Sequence, residues 1–303
     1  GYCEVPRGRV LGGSSSINYM LYLRGQPEDF NAWAAAGNAG WSYEEILPFF
    51  ENVENHYESD DDSIGPDNRD SLPIVKVQGD WWSEAFHMAL SELGVRQTDL
   101  NRGVGGGGFM IHQVTVRDGK RVSANTAFLK PSMERPNLDV LTSSLVKRIL
   151  LDNQTAIGVE FEHENQMFAA FASREVILSA GTINSPKILM LSGIGPTEEL
   201  KNFGIPVVQD LPVGLGLQDH IGVTLEFLIN KTNQPNADAI QSIQQYLHDQ
   251  TGLYSMVDGR VVAFMNSSLG TLDNPDLELI FGRSGEEDKF YISGFPTNPE
   301  SRG

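Results

Sequence analysis

Apolar residues recur at helical intervals in three segments, and each of these segments predicts an amphipathic helix. The three segments are residues 42–53, 82–93 and 240–248. Ser42 followed by Glu45 predicts a capping box at the start of the first helix, whereas Pro48 predicts a kink or a later start. One face of the second helix carries Ala85, Met88, Ala89 and Leu93.

Short apolar or alternating runs bounded by turn residues predict strands over much of the remaining chain. Asp118-Gly119 predicts a hairpin turn between residues 109–116 and 120–123. The apolar strand 175–181 ends in a glycine and runs into a helix over residues 187–192, with Pro186 in its first turn. The other predicted strands are residues 138–142, 146–151, 156–162, 167–171, 261–265 and 277–281.

The charge balance excludes several classes of partner. The chain has 303 residues, with 22 basic and 40 acidic side chains and a net charge of −18. This balance argues against nucleic acid as the main partner and against an anionic membrane surface. Half of the negative charge lies between Trp41 and Leu72, where ten acids and one base predict a solvated loop.

Other classes of site and segment are excluded by what the sequence lacks. A single cysteine, Cys3, rules out an internal disulfide framework and any cysteine-rich metal site. No apolar run approaches the ~18 residues needed to span a membrane. We therefore predict no metal site and no membrane span.

Two segments carry candidate chemistry. In the first, residues 6–25, Gly12-Gly13 permits close backbone approach to a ligand, and three serines and Asn18 follow with hydrogen-bonding groups. A ligand-lining loop and an ordinary glycine turn are both open readings of it. The G-x-S-x-G elbow of serine hydrolases is absent, which argues against a serine nucleophile.

The second segment, residues 180–196, joins a strand, a glycine turn and a helix N-terminus, a geometry that suits a phosphate or the edge of a flavin. A third glycine-rich stretch, residues 101–109, neither follows a strand nor opens a helix. It therefore predicts a mobile loop in preference to a phosphate cradle.

Together the two segments resemble the signature segments of the glucose–methanol–choline (GMC) flavoprotein oxidoreductases. The resemblance is continuous from Pro6 to His220. Asn18–Gly25 and Gly259–Phe264 look most like the glucose-dehydrogenase-like (FAD, quinone) branch common in insects. The matching stretches, in the family's order, include Glu28-Asp-Phe30, Gly40-Trp-Ser-Tyr43, Gly119–Ser123, Ala127–Pro131 and Asp210–His220.

This resemblance implies an α/β FAD-binding domain and an α+β substrate domain on an antiparallel sheet. The FAD-binding domain would comprise residues 1–75 and 138–218, and the substrate-binding domain residues 76–137 and 219–303. The implied reaction is hydride transfer from an alcohol or sugar CH–OH group to flavin N5. Electrons would then pass to a quinone, oxygen or another acceptor.

The resemblance also implies which residues contact FAD. Ala180 and Gly181 would end a strand near the cofactor, and the backbone of Val146 would meet the adenine. The residues expected along the flavin and pyrophosphate are Val10, Gly12, Gly13, Ser14, Ser15, Asn18, Tyr19, Met20 and Leu21.

The family's catalytic histidine and its partner are expected beyond residue 303, so no catalytic residue is assigned. His220 is interpreted either as structural or as a residue that supports the site without contacting the substrate. The other five histidines are interpreted as surface or satisfied core residues. The dinucleotide fingerprint should precede Gly1, and Gly216 replaces the usual Asn. We therefore expect an internal fragment that by itself is inactive and binds FAD weakly or not at all.

Two further functions remain open: a catalytically silent relative used for binding or structure, and a hydroxynitrile lyase on the same scaffold. Localisation is poorly constrained. Three sequons, at Asn153, Asn230 and Asn266, are compatible with secretion.

Overall fold

The computed structural model of the chain describes residues 5–57, 71–77, 79, 81–103, 105–228, 239–255, 261–269, 275–283 and 289–297. The chain divides into two compact units. The first unit comprises Gly1–Arg135 and His220–Pro299, and the second unit comprises Pro136–Asp219 and Glu300–Gly303. Two of the predicted domain boundaries lie near these breaks, and the one at residue 75 falls inside the first unit. The assignment of one domain to the cofactor and one to the substrate stays a prediction.

The strands of the described residues are short in the first 130 residues and longer after them. In chain order they are β1 (Leu21–Tyr22), β2 (Glu54–Tyr57), β3 (Leu72–Lys76), β4 (Gly108–Ile111), β5 (Gln113–Val114), β6 (Val116–Arg117), β7 (Lys120–Arg121), β8 (Ser144–Asp152), β9 (Thr155–His163), β10 (Gln166–Phe171), β11 (Ile194–Gly195), β12 (Gln209–Asp210), β13 (Val223–Leu228), β14 (Val261–Met265), β15 (Leu277–Arg283) and β16 (Lys289–Pro296).

The α-helices are α1 (Pro27–Ala35), α2 (Tyr43–Val53), α3 (Trp81–Glu92), α4 (Lys130–Ser132), α5 (Gly181–Leu191), α6 (Thr197–Asn202) and α7 (Ala239–Asp249). Single 3₁₀ turns cover Gly13–Ser16, Leu100–Arg102 and Leu253–Ser255, and a π-helical turn covers Asn125–Leu129. Among the residues that the structure describes, no helix is long and apolar enough to cross a membrane.

The larger layer of the first unit is a five-stranded antiparallel sheet in the order β13-β16-β15-β14-β4. α3 covers one of its faces, where Phe86 and Leu90 pack against Phe109, Val261 and Phe281. Full burial of side chains of this size stabilises a fold by roughly 1.5–3 kcal/mol each. This cluster therefore fixes α3 on the sheet.

The buried face of α3 is not the one that carries the predicted apolar set. Met88 and Leu93 are 62% and 75% exposed, whereas Trp82, Phe86 and Leu90, each four residues apart, turn inward. Trp82 and Phe86 stack on each other, and both pack against Phe290, Trp82 at a tilt and Phe86 edge-to-face. The aromatic face is buried because its rings remove more apolar area from water than alanine and methionine do.

A second layer of the first unit is the four-stranded sheet β1-β5-β3-β2, in which β2 and β3 run parallel. Its core contains Val77, Val114 and Val116. Met20 and Leu21 pack against these three valines. The end of the first signature segment is thus part of a hydrophobic core.

The predicted hairpin at Asp118-Gly119 is confirmed. β6 and β7 pair through Val116 with Arg121, and both turn residues have a positive φ, 51° and 64°. Two left-handed residues are what a two-residue type I′ turn requires. The single strand predicted over residues 109–116 is divided into β4, β5 and β6, which join three different sheets.

The helix predicted over residues 42–53 is confirmed as α2. Ser42 and Glu45 form the reciprocal capping box, and Pro48 lies inside the helix. The predicted helix over 240–248 corresponds to α7. Most of the acidic loop lies outside the described residues, in the gap between 57 and 71.

In the second unit, β8, β9 and β10 form an antiparallel meander, which confirms the strands predicted over residues 146–151, 156–162 and 167–171. Asn153, Glu164 and Asn165 take the positive φ values at its turns. Ser192 joins this sheet to α5, because its hydroxyl accepts the Ile149 amide at 2.8 Å and donates to the Ile188 carbonyl at 2.6 Å.

Three predictions in the second unit are wrong. Residues 138–142 and 175–181 form no strand, since neither segment pairs with a strand among the described residues, and Ile177 is 79% exposed. The helix assigned to 187–192 begins earlier, at Gly181, so Pro186 lies inside it. The amide of Ala180 donates to the Ser185 hydroxyl at 3.1 Å, which favours the earlier start.

His112 is a fully buried histidine between β4 and β5. Neither ring nitrogen has a hydrogen-bond partner among the described residues, so the interpretation of this residue as a satisfied core histidine is wrong. Burial lowers its pKa to about 4 from the usual 6.5, because the charged ring would lose its hydration.

We predict that His112 makes the fold sensitive to acid. The His112 ring binds a proton near pH 6.5 in the unfolded chain but only near pH 4 in the folded chain. The contribution of the neutral ring to the free energy of unfolding is therefore greatest above pH 6.5, and it decreases as the pH falls from 6.5 to 4. The loss should reach about 3 kcal/mol at 1.36 kcal/mol per pKa unit.

Urea unfolding of the wild type and of His112→Met between pH 7.5 and 4 measures this difference. The stability of the variant relative to the wild type should rise as the pH falls, and His248→Gln, at an exposed ring, serves as control. Parallel pH profiles for the wild type and His112→Met would contradict the prediction.

Candidate functional site

The backbone of the first signature segment forms a tight loop, residues 8–21, which we call the glycine–serine loop. Gly12 and Gly13 have φ values of 91° and 56°, and the 3₁₀ turn Gly13–Ser16 follows directly. A Cβ atom on Gly8 would collide with the carbonyl of Gly13. The two arms of the loop are therefore in close backbone contact.

The polar side chains of the loop mostly satisfy its own backbone. The Ser14 hydroxyl accepts the Gly8 amide at 3.2 Å, and the Ser16 hydroxyl donates to the Leu11 carbonyl at 3.0 Å. The Asn18 Oδ1 accepts the Met20 amide at 3.0 Å. These bonds hold the loop in shape before any ligand binds.

Met20 has a left-handed backbone conformation, with φ at 61°, which is uncommon for a residue other than glycine. Its carbonyl accepts the Thr115 amide at 2.9 Å, and its side chain packs in the core beside Val114. Strained backbone of this kind persists where surrounding contacts impose it, and it is common at ligand sites.

The outer side of the loop is open. Val10 and Tyr19 are 59% and 79% exposed. A Cβ atom placed on Gly13 would have no atom of the described residues within 4 Å beyond its own chain neighbours. The loop therefore presents backbone and two apolar side chains to open space.

The inner side of the loop rests on the β6–β7 hairpin and the segment after it. Arg121 Nη1 donates to the Ser15 carbonyl at 3.2 Å, and to the Asn18 carbonyl and Oδ1 at 2.7 Å each. The Ser15 hydroxyl accepts the Ala124 amide at 2.9 Å. Arg121 was not among the predicted site residues; the only signal for it was its place in the matching stretch 119–123.

Directly after the loop lies a buried ion pair. Arg24 and Glu54 have side chains that are 8% and 1% exposed. Arg24 Nε donates to Glu54 Oε1 at 2.8 Å, Arg24 Nη2 pairs with Oε2, and the Tyr22 hydroxyl donates to Oε1. Burial and the bond to Glu54 raise the pKa of Tyr22 far above its usual value, so the phenol stays protonated.

Asn101 extends this network. Its Oδ1 accepts the Arg24 amide at 2.6 Å, and its carbonyl accepts Arg24 Nη1 at 3.1 Å. Its Nδ2 donates to Gln113 Oε1 at 2.7 Å. The glycine-rich stretch that was interpreted as mobile thus begins at a residue that is fixed on three sides.

The remaining predicted residues lie in the second unit. Val146 is half-buried in β8, next to an irregularity in its pairing with β9. Ala180 precedes α5, and Gly181, with φ at 83°, begins it. Both are exposed, and in the described part of the chain a Cβ atom on Gly181 would have no neighbour within 4 Å. The first amides of α5 are therefore open to a ligand, in a position where the helix dipole favours an electronegative group.

His220 stacks edge-to-face on Phe295, with ring centroids 6.3 Å apart. Burial raises the pKa of Glu278, and the nearby charge of His220 opposes that rise. Among the residues that the structure describes, no group of three or more His, Cys, Asp or Glu side chains could hold a metal ion.

A family model described as GMC oxidoreductase matches residues 2–222, nearly three quarters of the chain. The chain belongs to this family. The predicted resemblance is therefore confirmed, and the two signature segments both fall inside the matched region.

Two curated relatives are about equally similar to the chain. Glucose dehydrogenase [FAD, quinone] of Drosophila pseudoobscura pseudoobscura is 37% identical over 99% of this chain and 52% of its own length. Oxygen-dependent choline dehydrogenase of Brucella anthropi is 37% identical over 91% of this chain and 51% of its own length. The chain spans about half the length of these GMC relatives.

Solved GMC structures show the same fold. An FAD-dependent oxidoreductase from Chaetomium thermophilum superposes with a TM-score of 0.86 at 25% identity, over 99% of this chain and 63% of that one. Pyridoxine 4-oxidase from Mesorbium loti gives a TM-score of 0.79 at 28% identity, over 98% and 58%. The predicted fold class, α/β with antiparallel sheets of the GMC type, is confirmed.

We predict that removing the charge of Glu54 destabilises this GMC chain strongly. Glu54→Leu leaves a buried guanidinium without its carboxylate partner, which should cost about 3–5 kcal/mol of unfolding free energy. Arg24→Met combined with Glu54→Leu should cost less than the two single changes together. Chemical denaturation measures all three variants.

The exposed pair between Arg148 and Glu160, 2.7 Å apart, is the matched control. Glu160→Gln should cost less than about 1 kcal/mol. If Glu54→Leu lowered the unfolding free energy no more than Glu160→Gln, the buried ion pair would not stabilise the fold as predicted.

Proposed function

We propose that this chain is the flavin-binding part of an FAD-dependent oxidoreductase that acts on the CH–OH group of a small alcohol or sugar. The observation that carries the proposal is the open, pre-shaped glycine–serine loop in a chain of the GMC family. Names of relatives add support, because one is a glucose dehydrogenase [FAD, quinone] and another is titled an FAD-dependent oxidoreductase.

In this proposal the residues of the loop lie along the cofactor. Its geometry fits a flat aromatic ligand, since Gly13 leaves room for close approach and the exposed backbone offers hydrogen-bonding groups. In the second unit, Val146, Ala180 and Gly181 would serve the adenine and the end of the cofactor. The loop residues assigned to FAD are Val10, Gly12, Gly13, Ser14, Ser15, Asn18, Tyr19, Met20 and Leu21.

Bound FAD would supply the hydride-accepting N5 atom. The chain's own part is to bind and orient: hydrogen bonds within the loop fix its backbone before binding, which lowers the ordering cost of the ligand site. We assign the proton-accepting base to no residue of this chain. His220, whose ring stacks on Phe295, is assigned a structural part.

The substrate is proposed only at the level of a small hydroxyl compound. The two curated relatives with glucose and choline in their names are both 37% identical to the chain, so identity does not choose between a sugar and an amino alcohol. Resemblance to the insect glucose-dehydrogenase-like branch favours a sugar donor and a quinone acceptor.

Anaerobic mixing of the purified, full-length polypeptide with candidate donors tests this function. We expect a bound flavin whose visible absorption bleaches on addition of a sugar or alcohol, with dye reduction under turnover. A purified protein without flavin absorption would refute the proposal. Bound flavin with cyanohydrin cleavage and no bleaching would favour the lyase, and bound flavin with neither reaction would favour a silent relative.

We predict that Gly13→Ala separates cofactor binding from folding. Among the described residues, a methyl group there meets no atom within 4 Å beyond its chain neighbours, so the cost in stability should stay near the ~1–2 kcal/mol of a left-handed alanine. The same methyl would enter the space assigned to the flavin. Flavin content per protein should fall while the unfolding midpoint changes little.

Gly12→Ala provides the contrast. Its Cβ would lie 2.7 Å from the Ser16 hydroxyl and 3.1 Å from Ser123 Oγ, so stability and flavin content should fall together. Unchanged flavin content in Gly13→Ala would place the cofactor elsewhere.

A further inference from the structure

Arg121 is bonded to the glycine–serine loop in an unusual way. One nitrogen, Nη1, faces three oxygens: the carbonyl of Ser15 and the carbonyl and Oδ1 of Asn18. That nitrogen carries two hydrogens. One hydrogen must therefore be shared between two acceptors. Three oxygens of the loop thus converge on one nitrogen of Arg121.

The three acceptors are neutral, although the chain carries a net charge of −18. Among the described residues, Arg121 has no carboxylate within ion-pair distance, unlike Arg24, Arg102 and Arg148. Hydrogen bonds from a charged donor are roughly twice as strong as neutral ones. The charge of Arg121 therefore strengthens the hydrogen bonds that fix the loop, and among the described residues it forms no ion pair.

The β6–β7 hairpin, which carries Arg121, is held in place by buried contacts. Val116, the cross-strand partner of Arg121, is 4% exposed and packs beside Met20 and Leu21. After the hairpin, Ser123 and Asn125 lie within 3.1 Å of a Cβ position on Gly12. The hairpin therefore meets the loop at both its glycine turn and its far end.

We propose that Arg121 is the positioning residue of the cofactor loop: it sets the backbone of residues 15–18 and thereby the affinity and orientation of FAD. It acts through Ser15 and Asn18 and has no assigned contact with substrate. The inference rests on the proposed role of this loop in binding FAD, but the hold of Arg121 on the loop can be measured without the cofactor.

Two readouts on the full-length polypeptide test the proposal. The first is amide hydrogen exchange of residues 13–20 in the cofactor-free protein, which should be at least about tenfold faster in Arg121→Gln than in the wild type because three hydrogen bonds are lost. The second is FAD affinity by fluorescence titration, which should fall roughly tenfold or more, together with an altered visible circular dichroism of the bound flavin.

Arg121→Lys should recover part of both effects, since an ammonium group can reach some of the same oxygens. Arg102→Gln removes the same charge at a side chain that is 77% exposed, and it should leave both readouts unchanged. If Arg121→Gln fails to fold, Arg121→Lys tests the proposal by itself. Its amide exchange should then be faster than that of the wild type by less than tenfold, and its FAD affinity should be lower by less than tenfold.

The proposal would be overturned if Arg121→Gln had the amide exchange and the FAD affinity of the wild type. It would also be overturned if Arg102→Gln changed both readouts as much as Arg121→Gln. A wild-type protein that binds no FAD would instead refute the proposed function. In that case the exchange rates still report whether Arg121 holds the loop.

Discussion

Removing a guanidinium and a carboxylate from water costs several kcal/mol for each ion, so a buried ion pair is stable only where the surrounding geometry satisfies both partners. Arg24 and Glu54 meet this condition, since Tyr22 and Asn101 occupy the remaining hydrogen-bonding positions. The network joins the strand after the glycine–serine loop to the end of α2 and to the start of the glycine-rich stretch. Much of the first unit is arranged around it.

The loop lies between this network and the β6–β7 hairpin. Its far end enters the core at Met20 and Leu21, and its middle is held by Arg121. The backbone of the loop has positive φ values at Gly12, Gly13 and Met20, and this conformation can persist because both supports are buried or fixed. The same arrangement leaves the outer face free for a ligand.

Local rules were enough to predict part of this fold. The capping box of Ser42 and Glu45, the turn at Asp118-Gly119 and the meander of β8 to β10 depend on neighbours in sequence. The family and both signature segments were also recognisable, because their glycines and polar residues occur at fixed spacing. These features need no knowledge of distant contacts.

Features that depend on distant partners were missed. The inward face of α3 was decided by the packing of Trp82 against Phe86 and Phe290, and residues 175–181 form no strand because a strand needs a neighbour. Arg121 carried no signal of its own, since its three acceptors are about one hundred residues away along the chain. The unsatisfied ring of His112 could not be expected from composition or periodicity.

The two-residue turn at Asp118-Gly119 has a consequence for how this chain can vary. Side chains on a strand alternate between faces, so one inserted or deleted residue in the turn would move Arg121 to the opposite side of the hairpin. The tip of the turn is also confined, because a Cβ atom on Gly119 would collide with the carbonyl of Gln250. Other surface turns tolerate changes in length, but here such a change would separate Arg121 from the glycine–serine loop. Functional descendants of this sequence should therefore keep the length of this turn even where neighbouring residues change.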